Sequence, residues 1–371
     1  MLQIHIMFRR TALSSVPFIL GYAYITYERR PLSPLNEPEL YHTNHQRLHP
    51  SDRSKPLSET FRSFRQDSIS SNIMRSFTLS AITGLCRFYL SSCNVNIQGL
   101  EQFHDILQHS WSAADLSAND TDSAALKLNN NSTSALTSTS TSTSSTLFVR
   151  RPVLTVSNHM STLDDPIILS RIAPLSCLSD VKKHRWGGCS EEICFTSAVA
   201  ASFFGSGKIL PVWRGGGLSQ EMFQELALHL VPGSWVHVFP EGTVCQKHFN
   251  YSSSKNRRRS YTRWGVGKMI AKAKVRPIVV PFYHDGLEEA LPLFDDIGKS
   301  VRTFPKVGVD INVIFGEPIV VDDLLDAFED RWGKEALAEP WEIPEDDHTL
   351  QLYSAIAERI QERMKKMDQR G

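Results

Sequence analysis

The most informative segment of the sequence is SNHMSTLDDP, residues 157–166, which follows a short run rich in β-branched residues. It contains a histidine and an aspartate five positions apart, His159 and Asp164. Residues at this spacing do not share one face of a regular helix, so we expect a turn that lets the two side chains meet. A carboxylate that holds one imidazole N–H leaves the other ring nitrogen free to accept a proton. The pair therefore predicts a general base.

No protein nucleophile is indicated for this base to activate. The sequence has no GxSxG elbow, and no cysteine with a matching signature lies close to His159. The six cysteines show no CxxC pair, and His184, Cys189 and Cys194 lack the paired spacing of a zinc site. We therefore expect neither a metal nor a cofactor, and we expect the base to deprotonate a hydroxyl group of the substrate. In a chain of this length the cysteines are expected to be free thiols.

Two further segments follow predicted strands and carry charged residues. The segment GKILPVWRG, residues 207–215, ends with Arg214 beside three glycines, a setting in which a planar cation can bind phosphate. The segment FPEGT, residues 239–243, places Glu241 in a tight turn, where it could hold Arg214 or accept a substrate hydroxyl. Taken singly, Arg214 is better explained as a surface ion pair and Glu241 as an ordinary turn acid.

In their order and spacing, four segments of the chain resemble the motifs of the glycerolipid acyltransferase superfamily. The segments are NHMSTLD at 158–164, GKILPVWRG at 207–215, FPEGT at 239–243 and VRPIVVP at 275–281. Within the superfamily the chain is similar to the tafazzin subfamily, through EICF at 192–195, RWGVGK at 263–268 and HDG at 284–286.

This resemblance implies an O-acyltransferase that moves an acyl chain from a phospholipid to a lysophospholipid without coenzyme A. The implied process is cardiolipin remodelling at mitochondrial membranes, with monolysocardiolipin as acceptor and the intermembrane space as the facing compartment. The site residues that the resemblance implies are His159 as base, Asp164 as its partner, and Asn158, Arg214, Glu241, Gly242 and Pro281 as substrate-binding residues. A coenzyme-A-dependent lysophosphatidate acyltransferase and a non-catalytic lipid-binding protein remain alternatives.

The elements that must position these residues follow an α/β pattern over residues 148–371, the predicted acyltransferase domain. Short apolar runs alternate with helical patterns of 10–15 residues, which favours a mostly parallel sheet flanked by helices. The predicted strands are 153–157, 209–212, 235–239, 277–281 and 311–315, and the predicted helices are 219–231, 264–273 and 348–367.

The part of the chain before this domain has a different character. We expect a targeting segment over residues 1–30, a disordered tether over 31–71 and a low-complexity insertion over 105–147. Residues 72–104 are predicted to be an interfacial membrane anchor, because Met74, Phe77, Ala81, Leu85 and Phe88 recur at helical spacing. An ordinary core helix with one buried face is the alternative.

Charge is balanced over the chain but not along it. The 371 residues carry 40 Lys and Arg against 40 Asp and Glu, which argues against a nucleic-acid-binding protein. Residues 242–284 hold ten Lys or Arg and no acid, whereas residues 317–347 hold twelve acids and two Lys or Arg. We interpret the basic stretch, which includes Arg257, Arg258 and Arg259, as a surface for anionic lipids; a solvated loop is the alternative.

Overall fold

The computed structural model describes residues 69–120, 151–213, 216–246, 262–292, 305–338, 340–341 and 345–368. The predicted targeting segment 1–30, nearly all of the tether and residues 121–147 of the predicted insertion lie outside these ranges. The same is true of Arg214 and of Arg257, Arg258 and Arg259.

Within the described residues, seven strands form two sheets. The strands are β1 Asn94–Gln98, β2 Val153–Ser157, β3 Gly187–Ser190, β4 Ile209–Val212, β5 Trp235–Val238, β6 Ile278–Asp285 and β7 Asp310–Phe315. The larger sheet has the order β1-β7-β6-β2-β5, and β3 pairs with β4 in the smaller one. Every pairing is parallel except that of β6 with β7.

Helices flank both faces of the larger sheet. They are α1 Ile69–Leu90, α2 Leu100–Asp120, α3 Asp164–Ile172, α4 Ser176–Ser179, α5 Glu191–Cys194, α6 Ala198–Ser206, α7 Glu221–Leu228, α8 Trp264–Ala271, α9 Leu287–Ala290, α10 Asp322–Trp332, α11 Glu335–Ala338 and α12 Asp347–Asp368. A short 3₁₀ helix, Val181–Lys183, follows α4. The predicted fold class, a mostly parallel sheet flanked by helices, is confirmed.

The central strand β2 explains why the sheet is covered on both faces. All five of its residues are buried, and its sequence VLTVS has no exposed polar alternation. Leu154 and Val156 belong to one apolar cluster with α7, α8 and α12, whereas Val153 belongs to a second cluster with α2 and α3. Because Val156 is in register with both Val238 and Pro281, the carboxyl ends of β2 and β5 meet at one edge beside β6. That edge is where open α/β sheets place their sites.

Helix α1 packs against the protein with a mixed side, in which Leu79, Cys86 and Leu90 are buried beside polar residues. Thr78 and Thr83 are buried, and the Arg87 guanidinium donates to the carbonyl oxygens of Ser170 (3.1 Å) and Ala173 (2.7 Å) at the end of α3. A cation placed there satisfies terminal carbonyls and complements the helix dipole. The predicted apolar side is turned outward instead, and Phe77 is 74% exposed.

The chain before residue 148 joins the domain more closely than the predicted boundaries suggest. Strand β1, inside the predicted anchor segment, is an edge strand of the larger sheet. Helix α2 runs through the first part of the predicted insertion and buries Phe103, Leu107 and Trp111 in the second apolar cluster. Within the residues that the structure describes, no helix combines the length and the apolar composition needed to span a bilayer.

Two described residues of the basic stretch pair with the acidic stretch instead of facing lipid. Arg276 donates to Asp326 (2.6 Å) and Glu329 (2.8 Å) of α10. Lys268 is fully buried in α8 and forms an ion pair with Glu345. For these two residues the interpretation as a lipid-facing surface is wrong, because the opposite charge is supplied by the fold itself.

The expectation of free thiols is also wrong at one place. Cys189 of β3 and Cys194 at the end of α5 form a disulfide, five residues apart. The tight turn from β3 into α5 brings the two side chains together, which their spacing alone did not indicate. Cys86, Cys93, Cys177 and Cys245 keep their thiol groups.

Candidate active site

A turn directly after β2 joins His159 to Asp164. The Asp164 N–H donates to the Ser161 carbonyl oxygen at 3.1 Å, which closes the turn. His159 Nδ1 lies 2.9 Å from Asp164 Oδ2. The same carboxylate oxygen also accepts the backbone N–H groups of Met160 (2.6 Å) and Ser161 (2.9 Å). Three N–H donors on one fully buried oxygen match an ionised carboxylate, which can only accept.

This arrangement fixes both the tautomer and the plane of the His159 ring. Because Nδ1 donates to the carboxylate, Nε2 carries the lone pair that can accept a proton. Nε2 has no hydrogen-bond partner among the described residues, and the side chain is 19% exposed. The ring stacks on Phe239 with centroids 4.1 Å apart and an angle of 15° between the planes. The imidazole is therefore held on one nitrogen and one face, with the other nitrogen open.

Glu241 and Gly242 lie beside the pair, in the turn that follows β5. The backbone N–H of His159 is 3.4 Å from Glu241 Oε2, and the His159 carbonyl accepts the N–H of Cys245 at 2.6 Å. Burial raises the pKa of Glu241 to about 7, against the partly compensating hydrogen bonds from Cys245 and His159. Gly242 has a φ of 67°, a left-handed conformation that favours glycine and lets the turn close.

The structure places the other predicted substrate-binding residues, Asn158, Pro281 and Arg214, in different surroundings. The Asn158 amide is buried, with its oxygen accepting from the His284 N–H (3.0 Å) and its nitrogen donating to the His284 carbonyl (2.7 Å). Its polar atoms therefore hold the protein rather than point to a ligand. Pro281 is buried within β6, where its carbonyl accepts the N–H of Gly316. Arg214 lies outside the described residues.

Two further residues lie at the site, and the sequence motifs that contain them did not predict a role for either. Arg263 is tied to the β5 turn by its backbone N–H, which donates to the Pro240 carbonyl at 2.7 Å. Its Nε lies 3.5 Å from the Glu241 carbonyl. His284, at the end of β6, is fully buried, and its Nε2 lies 3.6 Å from Asp164 Oδ2. Sequence offers only one signal for these residues, their place in RWGVGK and HDG.

A cavity of about 530 Å³ opens beside His159. Its size is within the range of about 300–1,000 Å³ that is typical of ligand sites. Apolar side chains from α1, α6, β4, α7 and α8 make up most of the lining, including Ile82, Phe203, Val212, Met222, Phe223 and Met269. The polar part includes His159, Thr162, Thr243 and Arg263. A free imidazole nitrogen thus meets an apolar space large enough for a hydrocarbon chain.

Several known proteins are similar in sequence to this chain. A model of the Acyltransferase family matches residues 137–285. An N-acylphosphatidylethanolamine synthase of Arabidopsis thaliana is 35% identical over 224 residues, which are 57% of this chain and 75% of the relative. A taffazin of Dictyostelium discoideum is 32% identical over 186 residues, 49% of this chain and 60% of the relative. A tafazzin of Drosophila melanogaster is 33% identical over 175 residues, 47% of this chain and 42% of the relative.

The chain belongs to the tafazzin-like glycerolipid acyltransferases. Family membership confirms the predictions of an O-acyltransferase and of lipid substrates. The match spans only about half the length of the two tafazzins. The acyl donor, the acceptor and the residues that do the chemistry are therefore matters for the proposal that follows.

Proposed function

We propose that this acyltransferase moves an acyl chain directly from a phospholipid to a lysophospholipid, with His159 as general base. The observation that carries the proposal is the free Nε2 of His159 beside an apolar cavity. A base alone would serve many reactions, but a base next to a hydrocarbon-sized space fits transfer of a fatty acyl chain.

The proposed reaction needs no nucleophile from the protein. His159 Nε2 takes the proton of the acceptor hydroxyl while the hydroxyl oxygen attacks the ester carbonyl carbon of the donor. The tetrahedral intermediate then breaks its bond to the donor oxygen, which receives the proton back from the imidazolium. Asp164 stabilises the imidazolium throughout and does not itself take the proton. General-base assistance of this kind contributes roughly 10²–10⁴ in rate.

Arg263 is proposed to bind the phosphate of a lipid substrate. It is half-buried, lines the cavity and lies beside Gly242, where a β-carbon would be 3.6 Å from Arg263 Cγ. Its two terminal nitrogens have no hydrogen-bond partner among the described residues. A guanidinium whose backbone is fixed and whose terminal nitrogens are open suits a phosphate oxygen pair. Arg214 is proposed to contribute a second cation, and Glu241 to accept a glycerol hydroxyl.

The outward side of α1 is proposed to lie in the membrane interface. We call this the α1 apolar face, defined by Ile73, Met74, Phe77 and Phe88, which are between 53% and 74% exposed. Exposed apolar surface of this kind marks a lipid or protein contact. Phe77 also lines the cavity, so a tail held in the membrane would reach His159 without crossing water.

The tafazzin relatives favour cardiolipin remodelling as the physiological process and monolysocardiolipin as the acceptor. As the location we propose a mitochondrial membrane that faces the intermembrane space, with residues 1–30 as targeting segment and 31–71 as tether. The plant relative is named for a product acylated on nitrogen. The same base could take a proton from an attacking amine, so phosphatidylethanolamine is the second candidate acceptor.

A single transfer experiment tests these alternatives. Purified full-length protein is mixed with vesicles that contain a diacyl phospholipid labelled in one acyl chain and monolysocardiolipin, without coenzyme A. A parallel reaction replaces monolysocardiolipin with phosphatidylethanolamine, and a third supplies labelled acyl-coenzyme A as the donor.

Label in cardiolipin without coenzyme A supports the proposal. Label in an N-acylated phosphatidylethanolamine supports the second acceptor instead. Transfer only from acyl-coenzyme A indicates the lysophosphatidate type of enzyme. The absence of transfer in all three reactions would contradict the catalytic proposal and favour a lipid-binding protein.

A further inference from the structure

Three hydrogen bonds join His284 to the residue that precedes His159. The His284 N–H donates to Asn158 Oδ1 at 3.0 Å, and the Asn158 amide donates to the His284 carbonyl at 2.7 Å. The third bond runs from His284 Nε2 to the Asn158 carbonyl oxygen, at 3.0 Å. Two residues 126 positions apart are thus fixed to each other through backbone and side chain.

The third bond fixes the proton on the His284 ring. A carbonyl oxygen can only accept, so His284 Nε2 must carry the hydrogen. His284 Nε2 is also 3.6 Å from Asp164 Oδ2, the carboxylate oxygen that binds His159 Nδ1. His284 Nδ1 has no partner among the described residues, and the residue is 1% exposed. The ring is therefore out of reach of any substrate, and its effect must pass through its neighbours.

Those neighbours are the two groups that orient the base. The first neighbour is the peptide bond between Asn158 and His159. Its carbonyl oxygen accepts two hydrogen bonds of 3.0 Å, one from His284 Nε2 and one from the Ser157 hydroxyl. Its N–H points to Glu241 Oε2 at 3.4 Å. The peptide plane is thus held from both sides immediately before His159.

We propose that His284 is a positioning residue for the His159–Asp164 pair. Its N–H holds the peptide bond before His159 and supplies a positive dipole next to the Asp164 carboxylate. The inference rests on the proposed role of His159 as base. A residue that only filled space could be replaced by any side chain of similar volume, whereas this role requires a donor at the Nε2 position.

Two substitutions separate these possibilities. His284→Gln can place an amide N–H near the position of Nε2, whereas His284→Asn is too short and reaches only the position of Nδ1. His104 offers a matched control, because its Nε2 also bonds a backbone carbonyl, that of Ile172 at 2.8 Å, on the far end of α3. His104→Asn and His104→Gln therefore remove and mimic the same kind of bond away from the site.

The measurements are kcat and KM for label transfer, with melting temperature and circular dichroism for each variant. His284→Asn should lower kcat by about 10²-fold, because small displacements of a base have effects of this size. Its KM should change less than twofold, since His284 cannot touch substrate. His284→Gln should recover about tenfold of the lost kcat, and neither His104 variant should change kcat more than twofold.

The outcomes distinguish this inference from the proposed function. Full kcat in folded His284→Asn, or equal losses in the Asn and Gln variants, would overturn the positioning role. If His284→Asn does not fold, the Gln variant alone decides. A kcat loss of up to about tenfold with unchanged KM then supports the role. A loss as large as 10²-fold overturns it. Wild-type protein without transfer activity, or His159→Ala as active as wild type, would instead refute the proposed base.

Discussion

The site after β2 and the α1 apolar face differ in which side chains they bury and which they expose. At the site, polar groups are buried, and Asp164 Oδ2 alone accepts three N–H donors. On α1, large apolar groups are exposed while Thr78, Thr83 and Arg87 turn toward the protein. Buried polar groups must be satisfied by partners within the fold, whereas exposed apolar groups gain stability only from a partner outside it. The Asp164 carboxylate oxygen thus finds its donors within the fold, whereas the α1 apolar face needs an outside partner, which we propose to be lipid.

The largest effect should come from substitutions in the His159–Asp164 pair. His159→Ala should reduce kcat by roughly 10²–10⁴-fold, because the base is removed while the cavity stays. Asp164→Asn should be nearly as damaging, since an amide can hold the wrong tautomer and stabilises the imidazolium less. Label transfer measures both, and binding to vesicles should be unchanged. Weaker vesicle binding in step with activity would mean that the pair acts through docking.

The next largest effect should come from substitutions in the α1 apolar face. Ile73→Glu and Phe88→Glu should each weaken vesicle binding by at least about tenfold, because burying a large apolar side chain is worth about 1.5–3 kcal/mol. Val320→Glu is the matched control, since Val320 is 64% exposed but lies outside α1. Vesicle co-sedimentation measures the binding. Equal losses for all three variants would show that added negative charge, and not the α1 apolar face, decides binding.

A smaller effect tests where the two regions meet, at the polar part of the cavity. Arg263→Gln should raise KM for a lysophospholipid by about tenfold, because a hydrogen bond to a charged group contributes about 1.5–3 kcal/mol. KM for a monoacylglycerol, which has no phosphate, should not change. Arg331→Gln on α10 removes the same charge far from the cavity and serves as control. A tenfold rise for both acceptors would argue against phosphate recognition by Arg263.

The smallest effect concerns the cost of burying a carboxyl group at the site. Folding raises the pKa of Glu241 to about 7, so its ionised form is disfavoured in the folded protein. The contribution of Glu241 to stability is therefore present at acid pH and is lost as the pH rises through about 7. Relative to wild type, Glu241→Gln should gain about 5–10 °C in melting temperature between pH 5 and pH 8, because the raised pKa corresponds to about 2.5 kcal/mol over this range. A constant difference across this pH range would contradict the raised pKa.

The sequence by itself determined the features that are local along the chain. The strand Val153–Ser157 and the turn to Asp164 lie within about a dozen consecutive residues, and short-range patterns of burial and hydrogen bonding suffice to define them. The parallel sheet also followed from sequence, because apolar runs separated by helices leave few other arrangements. For the same reason the His159–Asp164 pair could be selected before the structure was known.

Tertiary structure alone decided what depends on residues far apart in the chain. The amphipathic pattern of α1 is the same whether its apolar side faces the core or the membrane; the bonds from Arg87 to the end of α3, 83 and 86 residues away, fix its orientation. His284 reaches Asn158 only because β6 and β2 are neighbours in register. Arg263 reaches the cavity only through the turn after β5. Such contacts arise from packing between elements, and no local pattern encodes which distant residue will arrive.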